Sequence, residues 1–171
     1  NGNVYVSGTT QSNVFPTYNP SGDDDYFQGT HNGGTDDIFI LKFDNNGVRV
    51  WATYYGGNEN DFDPSIATDS SGNVFVTGTT QSPNFPTYNP GSGSYYQGSR
   101  GSGIFSYYDA YILKFNSRGI RMWATYYGGS SSDRGKSICV QGSTGLVFVT
   151  GYTESSDFPT YNPGISGVYY Q

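Results

Sequence analysis

Trp51-Ala52-Thr53-Tyr54-Tyr55-Gly56-Gly57 recurs letter for letter as Trp123-Ala124-Thr125-Tyr126-Tyr127-Gly128-Gly129, 72 residues further along the chain. A block of that length copied within one chain marks a repeat architecture. With side chains alternating across a strand, Val48, Val50, Ala52 and Tyr54 share one face and Arg49, Trp51, Thr53 and Tyr55 the other. Both faces carry bulk, so the sheet is expected to be covered on both sides. Trp51, Tyr54, Trp123 and Tyr126 are therefore the expected core of the repeat.

Working outward, each copy is preceded by a matching strand, Asp37 to Phe43 and Asp109 to Phe115, and by a turn, Asp44-Asn45-Asn46-Gly47 or Asn116-Ser117-Arg118-Gly119. The glycine can take the positive φ that closes a short hairpin loop. After the Gly-Gly pair a short strand is expected at 65–68 and 137–140. It leads into a further strand present three times, at 2–12, 72–82 and 145–155. Each period thus holds four short antiparallel strands.

Phe-Pro-Thr-Tyr-Asn-Pro also recurs, at Phe15 to Pro20, Phe85 to Pro90 and Phe158 to Pro163. Two prolines four residues apart bar a central strand, so this segment reads as an ordered loop. A variable stretch follows it and ends in Tyr-Phe-Gln or Tyr-Tyr-Gln at 26–28, 95–97 and 169–171. Four-stranded units packed on both faces are what a β-propeller blade requires. Blades usually take about 40 to 50 residues, so a period near 72 leaves roughly 20 for the long loop.

Composition agrees. With 25 Gly, 8 Pro, 17 Tyr and 11 Phe in 171 residues, and Met, Cys and His once each, strands and tight turns are favoured and the class is all-β. A net charge of −6 from 8 basic and 14 acidic residues opposes nucleic-acid binding, which needs clustered Lys and Arg. No apolar run reaches the 18 or so residues of a spanning helix, so membrane insertion is not expected. One cysteine allows no intrachain disulfide. The chain opens on Asn1 with no leader-like stretch, implying a processed product or part of something longer.

The run Asp69 to Thr80, Phe85-Pro86-Thr87, Tyr96-Gln97, Asp109 to Phe115 and Thr125 to Gly129 resembles the bacterial SBBP repeat, a β-propeller repeat of secreted and surface proteins. The resemblance implies fold and export rather than an activity, and brings no catalytic residues with it. The chain divides into a three-stranded partial repeat (1–61), a complete repeat (62–133), and a partial repeat with two strands and the proline-rich loop (134–171). A closed propeller needs about four blades. The sheets are therefore expected to be incomplete as a ring in one chain, and to be completed by copies of the chain or further repeats through strand edges and packed faces.

Candidate sites are few. His31 sits in the variable loop with no counterpart in the other copies and reads as solvated, and Cys139 stands where Ala67 stands one repeat earlier and reads as a small core residue. Carboxylates at Asp23-Asp24-Asp25, Asp36-Asp37 and Glu59 to Asp63 raise calcium, a cation that takes several oxygens, but the segment aligned with Asn58-Glu59-Asn60-Asp61 is Ser130-Ser131-Ser132-Asp133, which would make a site private to one copy. No cofactor is expected. Tyr18, Tyr88 and Tyr161 are candidate contacts for glycan or assembly. Thr17, Thr87 and Thr160 follow proline as candidate O-glycan acceptors. The function expected is a non-catalytic extracellular structural repeat assembling into a surface layer, stalk or filament. The alternative is a glycan- or protein-binding propeller module of a larger secreted adhesin.

Overall fold

The computed structural model describes residues 2–20, 26–91, 93–101, 108–142, 144–162 and 164. Their regular structure is nine strands: β1 (Val4–Thr10), β2 (Asp37–Phe43), β3 (Arg49–Tyr55), β4 (Asp61–Thr68), β5 (Val74–Thr80), β6 (Asp109–Phe115), β7 (Arg121–Tyr127), β8 (Asp133–Gln141) and β9 (Leu146–Thr153). They pair antiparallel in chain order into three sheets, β1-β2-β3, β4-β5-β6-β7 and β8-β9. The all-β repeat expected from the sequence is the fold, and β4 to β7 form its one four-stranded sheet. The sheets do not close on themselves: among the described residues the first lacks a strand equivalent to β4, and the last lacks equivalents of β6 and β7.

Turn chemistry sets the register. Gly47 and Gly119 take φ of 78° and 92°, and the side chain of the first turn residue accepts two backbone amides in each copy. Asp44 Oδ1 takes those of Asn46 and Val48 at 2.9 and 2.8 Å, and Asn116 Oδ1 those of Arg118 and Ile120 at 2.9 and 3.0 Å. The hairpins that result have one register, Ile38 opposite Tyr55 and Ala110 opposite Tyr127, with the same irregularity beside Lys42 and Lys114.

β4 and β8 start earlier than 65 and 137. They begin at Asp61 and Asp133 and run through a bulge, between Phe62 and Ser65 in one and Gly135 and Ser137 in the other. In β4 the bulge holds Asp63 at φ 56° beside Pro64. An acidic stretch with a proline does not read as a strand, and a bulge is what accommodates it.

Successive sheets pack face to face, β4 on β1 and β2, and β8 on β4, β5 and β6. One hydrophobic cluster joins the first two: Ile38, Ile40, Trp51 and Tyr55 meet Val74, Val76, Phe85, Tyr111, Leu113 and Phe115. In β3 both faces are buried, Ala52 and Tyr54 on one and Trp51, Thr53 and Tyr55 on the other. Cys139 corrects the expectation for it. It is exposed, because it lies in the last sheet, where no further sheet follows among the described residues.

The long loop has a structural task. Tyr18 bridges Ala52, and Gln28 bridges Tyr54, on the outer edge of β3. Tyr88 bridges Ala124 on β7, and the Tyr126 amide donates to the Gln97 carbonyl at 3.2 Å. The loop thus satisfies part of the outer edge of the first two sheets from within, which blunts pairing with another chain there. Assembly through strand edges, expected from the sequence, has no outer edge open at these positions.

Candidate functional site

The joint between successive sheets is where the repeated residues converge. At the end of β3 the Tyr54 hydroxyl donates to the Ser12 carbonyl at 2.5 Å and accepts the Phe15 amide at 2.8 Å, fixing the loop of its own sheet. The Tyr55 hydroxyl donates to the Pro86 carbonyl, in the loop of the next sheet. Tyr126 and Tyr127 do the same one repeat later: Tyr126 takes Ser82 and Phe85 at 2.7 and 2.9 Å, Tyr127 takes Pro159 at 2.7 Å. The Arg49 and Arg121 guanidiniums donate to the Pro16 and Pro86 carbonyls at 2.7 and 3.0 Å. Phe85 fills the space between, stacked on Tyr111 at 4.7 Å and tilted against Tyr55 at 5.1 Å.

The two glycines that follow are small because carboxylates and loop side chains occupy the space of their missing Cβ. A Cβ on Gly56 would lie 2.6 Å from Asp37 Oδ1 and 2.7 Å from Asp61 Oδ2, and one on Gly128 would lie 2.8 Å from Asp133 Oδ2 and 2.9 Å from Asp109 Oδ2. On Gly57 it would meet Asn84 Oδ1 at 2.5 Å, and on Gly129 Asp157 Oδ1 at 2.5 Å. Two aspartates therefore face each other across one glycine at each joint, one from the start of the β2 or β6 strand and one from the start of the next sheet.

All four are fully buried. Asp37 Oδ2 accepts the Asn32 amide at 2.8 Å, and Asp109 Oδ2 the Gly101 amide at 2.9 Å. Asp61 Oδ2 accepts the Gly57 amide at 2.8 Å and the Ser82 hydroxyl at 2.9 Å; Asp133 Oδ2 accepts the Gly129 amide at 2.7 Å and the Ser155 hydroxyl at 2.8 Å. The Oδ1 atoms of Asp37, Asp61 and Asp133 are buried with no hydrogen-bond partner. Burial pushes the Asp61 carboxyl up to about 7 against the bonds from Thr80, Gly57 and Ser82. Burial also raises Asp37, against the Asn32 amide and His31.

This arrangement revises two sequence expectations. His31 is not solvated: its side chain is 8% exposed, its Nδ1 lies 3.9 Å from Asp37 Oδ2, and its ring meets Tyr54 edge-on at 6.0 Å. It also has a positional counterpart, since Arg100 follows Gln97 as His31 follows Gln28. Nor is the acidic stretch private to one copy, because Asp61 and Asp133 play one role. Their common offset of four residues from the Gly-Gly pair is legible in the sequence; the aspartate that each meets across a glycine is not. Among the described residues no group of three or more His, Cys, Asp or Glu is placed to hold a metal. Asp23-Asp24-Asp25 lie outside the described residues.

The other candidates lie apart from the joint. Trp51 is 4% exposed against Phe115, and Tyr54 and Tyr126 are fully buried, whereas Trp123 is half-buried at the side where a next sheet would pack. Tyr18 and Tyr88 are exposed on the outer rim, each with one ring face under an arginine, Arg49 at 5.3 Å and Arg121 at 5.0 Å. Tyr161 is 84% exposed. Thr87 Oγ1 lies 3.0 Å from the Tyr96 hydroxyl, Thr17 is half-buried, and Thr160 is exposed.

Sheets of this order, joined outer strand to inner strand and packed face to face, define a tandem β-propeller-type repeat. Residues 50–86 match the SBBP family, described as a beta-propeller repeat. A protein of Acanthamoeba polyphaga mimivirus, named as an uncharacterized WD repeat-containing protein, is 28% identical over 134 residues. That match takes in 69% of this chain but only 10% of the length of the relative.

Proposed function

We propose that this chain is a run of tandem sheets in a larger, exported, non-catalytic repeat protein, in which each sheet is completed by face packing against the next of its kind. The observation that carries this is the unequal burial of equivalent residues. Ile40 and Tyr55 are fully buried by the following sheet, while their counterparts Ile112 and Tyr127 are half-buried; Val76 is fully buried, while its counterpart Val149 in β9 is 37% exposed. Between them lies an open cleft of about 430 Å³ lined by Ile112, Tyr127, Val147 and Val149, beside the free edge of β9. A hairpin of the β6–β7 kind has the side chains to fill it, as Tyr111, Leu113 and Phe115 do one repeat earlier.

Appending residues 98–133 after Gln171 tests this. The expected result is a higher urea midpoint, a steeper denaturant dependence and blue-shifted Trp123 emission; an unchanged midpoint with an unfolded appendage would refute it. The WD-repeat name of the relative and the acidic, tyrosine-rich surface support an interaction scaffold acting outside the cell or on its surface. Native particle size would then report layers, stalks or filaments.

A second reading, a glycan- or protein-binding module, has its own support in Tyr18 and Tyr88, exposed and held flat by the arginines behind them. Saturable retention on a glycan array, lost in a Tyr18→Ala, Tyr88→Ala double variant, would favour it.

A further inference from the structure

The carboxylate pairs do more than accept the amides of their turns: they place two acids in a site sealed from water. Two buried carboxyls side by side do not both ionise without a compensating charge. In the first joint the compensating groups are few. His31 stands 3.9 Å from Asp37, while Tyr26, Tyr55, Tyr111 and Tyr126 surround the pair with phenols whose own ionisation burial opposes. Asp36 adds a further negative charge beside Asp37. Asp63, the next acid of β4, is turned to Lys136 at 2.8 Å, and Arg121 is spent on Pro86 and Tyr55. In the second joint Arg100 donates to the Gln81 carbonyl. Among the described residues no Lys or Arg forms an ion pair with Asp37 or Asp61.

The Asn32 amide and the Gln28 side chain bond Asp37 at Oδ2, and its buried Oδ1 has no hydrogen-bond partner. That bare oxygen faces Asp61 Oδ2 across Gly56, where a Cβ would lie 2.6 Å from the one and 2.7 Å from the other, and it is a place for a hydrogen. We propose that the first joint holds one proton between its two buried aspartates, Asp37 and Asp61, so that acid tightens the contact between successive sheets and alkali loosens it. The pair bridges sheets by construction of the chain, since Asp37 opens β2 of one sheet while Asp61 opens the first strand of the next. Losing the proton sets two like charges against each other across Gly56, at the point where the chain passes between sheets.

The sign follows from the raised position of Asp61. A carboxyl that keeps its proton to about pH 7 in the folded state and about pH 4 in the unfolded state contributes fully below pH 4, and its contribution is lost as pH rises toward 7. The test is the urea midpoint of the protein from pH 4.5 to 8 beside Asp61→Asn, together with infrared spectra of the unaltered protein labelled with 13C at the aspartate carboxyls. The expected results are a midpoint that falls as pH rises, a shallower fall in Asp61→Asn with a midpoint at pH 8 equal to or above the parent, and a protonated-carboxyl C=O band at pH 5 that shrinks by pH 8. Absence of that band at pH 5 would overturn the proposal whether or not the variant folds. So would calcium that raises the parent midpoint at pH 8 but not that of Asp61→Asn, since a cation and not a proton would then occupy the joint.

Discussion

Tyr54 and Tyr55 are neighbours in sequence and hold different sheets: the hydroxyl of Tyr54 is bonded to Ser12 in the loop of its own sheet, and that of Tyr55 to Pro86 in the loop of the next. Alternation across the strand points the two rings to opposite faces. One dipeptide therefore fixes a loop and sets the seat of the following repeat, which explains why it is copied unchanged.

Removing the two hydroxyls should not cost the same. Tyr126→Phe leaves the Ser82 carbonyl and the Phe85 amide only their long mutual bond of 3.4 Å, at a cost of about 1–3 kcal/mol. Tyr55→Phe leaves the Pro86 carbonyl still served by Arg121, at a cost of about 0.5–1.5 kcal/mol. Urea unfolding of both variants measures the difference.

Gly56→Ala and Gly128→Ala press a methyl onto two buried carboxylates and should destabilise by about 2–4 kcal/mol, as overpacking and mispairing do in a closed site. Gly91→Ala, where the surroundings are open and only the backbone angle resists, should cost about 1 kcal/mol. Equal losses would mean that the Gly-Gly pair serves the turn and not the acids.

Lys42 reaches across to the next sheet, its ammonium donating to the Ser117 carbonyl at 2.7 Å. Its counterpart Lys114 lies over the Phe75 ring of its own sheet at 5.0 Å, with no sheet beyond it among the described residues. Lys42→Met should lower the unfolding midpoint and Lys114→Met should move it less. The gap between them reads the coupling between sheets.

Much of the fold is legible in the sequence because the copies are compared with each other. The two-sided bulk of β3, the Gly47 and Gly119 turns and the hairpin register follow from alternation and turn chemistry. What was not legible depends on contacts between copies. The start of β4 hides behind Asp63 and Pro64, which a bulge absorbs. The meeting of Asp37 with Asp61, and of Asp109 with Asp133, arises only when one sheet packs on the next, and the burial of His31 arises from Asp37 and Tyr54, which lie close only after the loop folds back. Position alone places Cys139 in the core, although among the described residues no following sheet covers it.

The acid limb of stability should come from other carboxyls. Amides of the turns hold Asp44 and Asp69 below the ordinary carboxylate range, with Asn73 the main donor to Asp69. Their contribution is present above about pH 4 and is lost as pH falls through the depressed values, opposite in sign to Asp61. Asp69→Asn should therefore flatten the limb below pH 4 and leave the slope above pH 5 unchanged, as a pH series of thermal midpoints would show.

Native-state hydrogen exchange resolved by residue tests most directly whether each sheet draws its stability from the sheet after it. The backbone amides of β5 and β6, covered on both faces, should exchange through the rarest opening, and those of β9 far faster although β9 carries the same strand sequence pattern as β5. Equal protection of β5 and β9 would contradict the account, because it would show that a sheet of this repeat stands without a following neighbour.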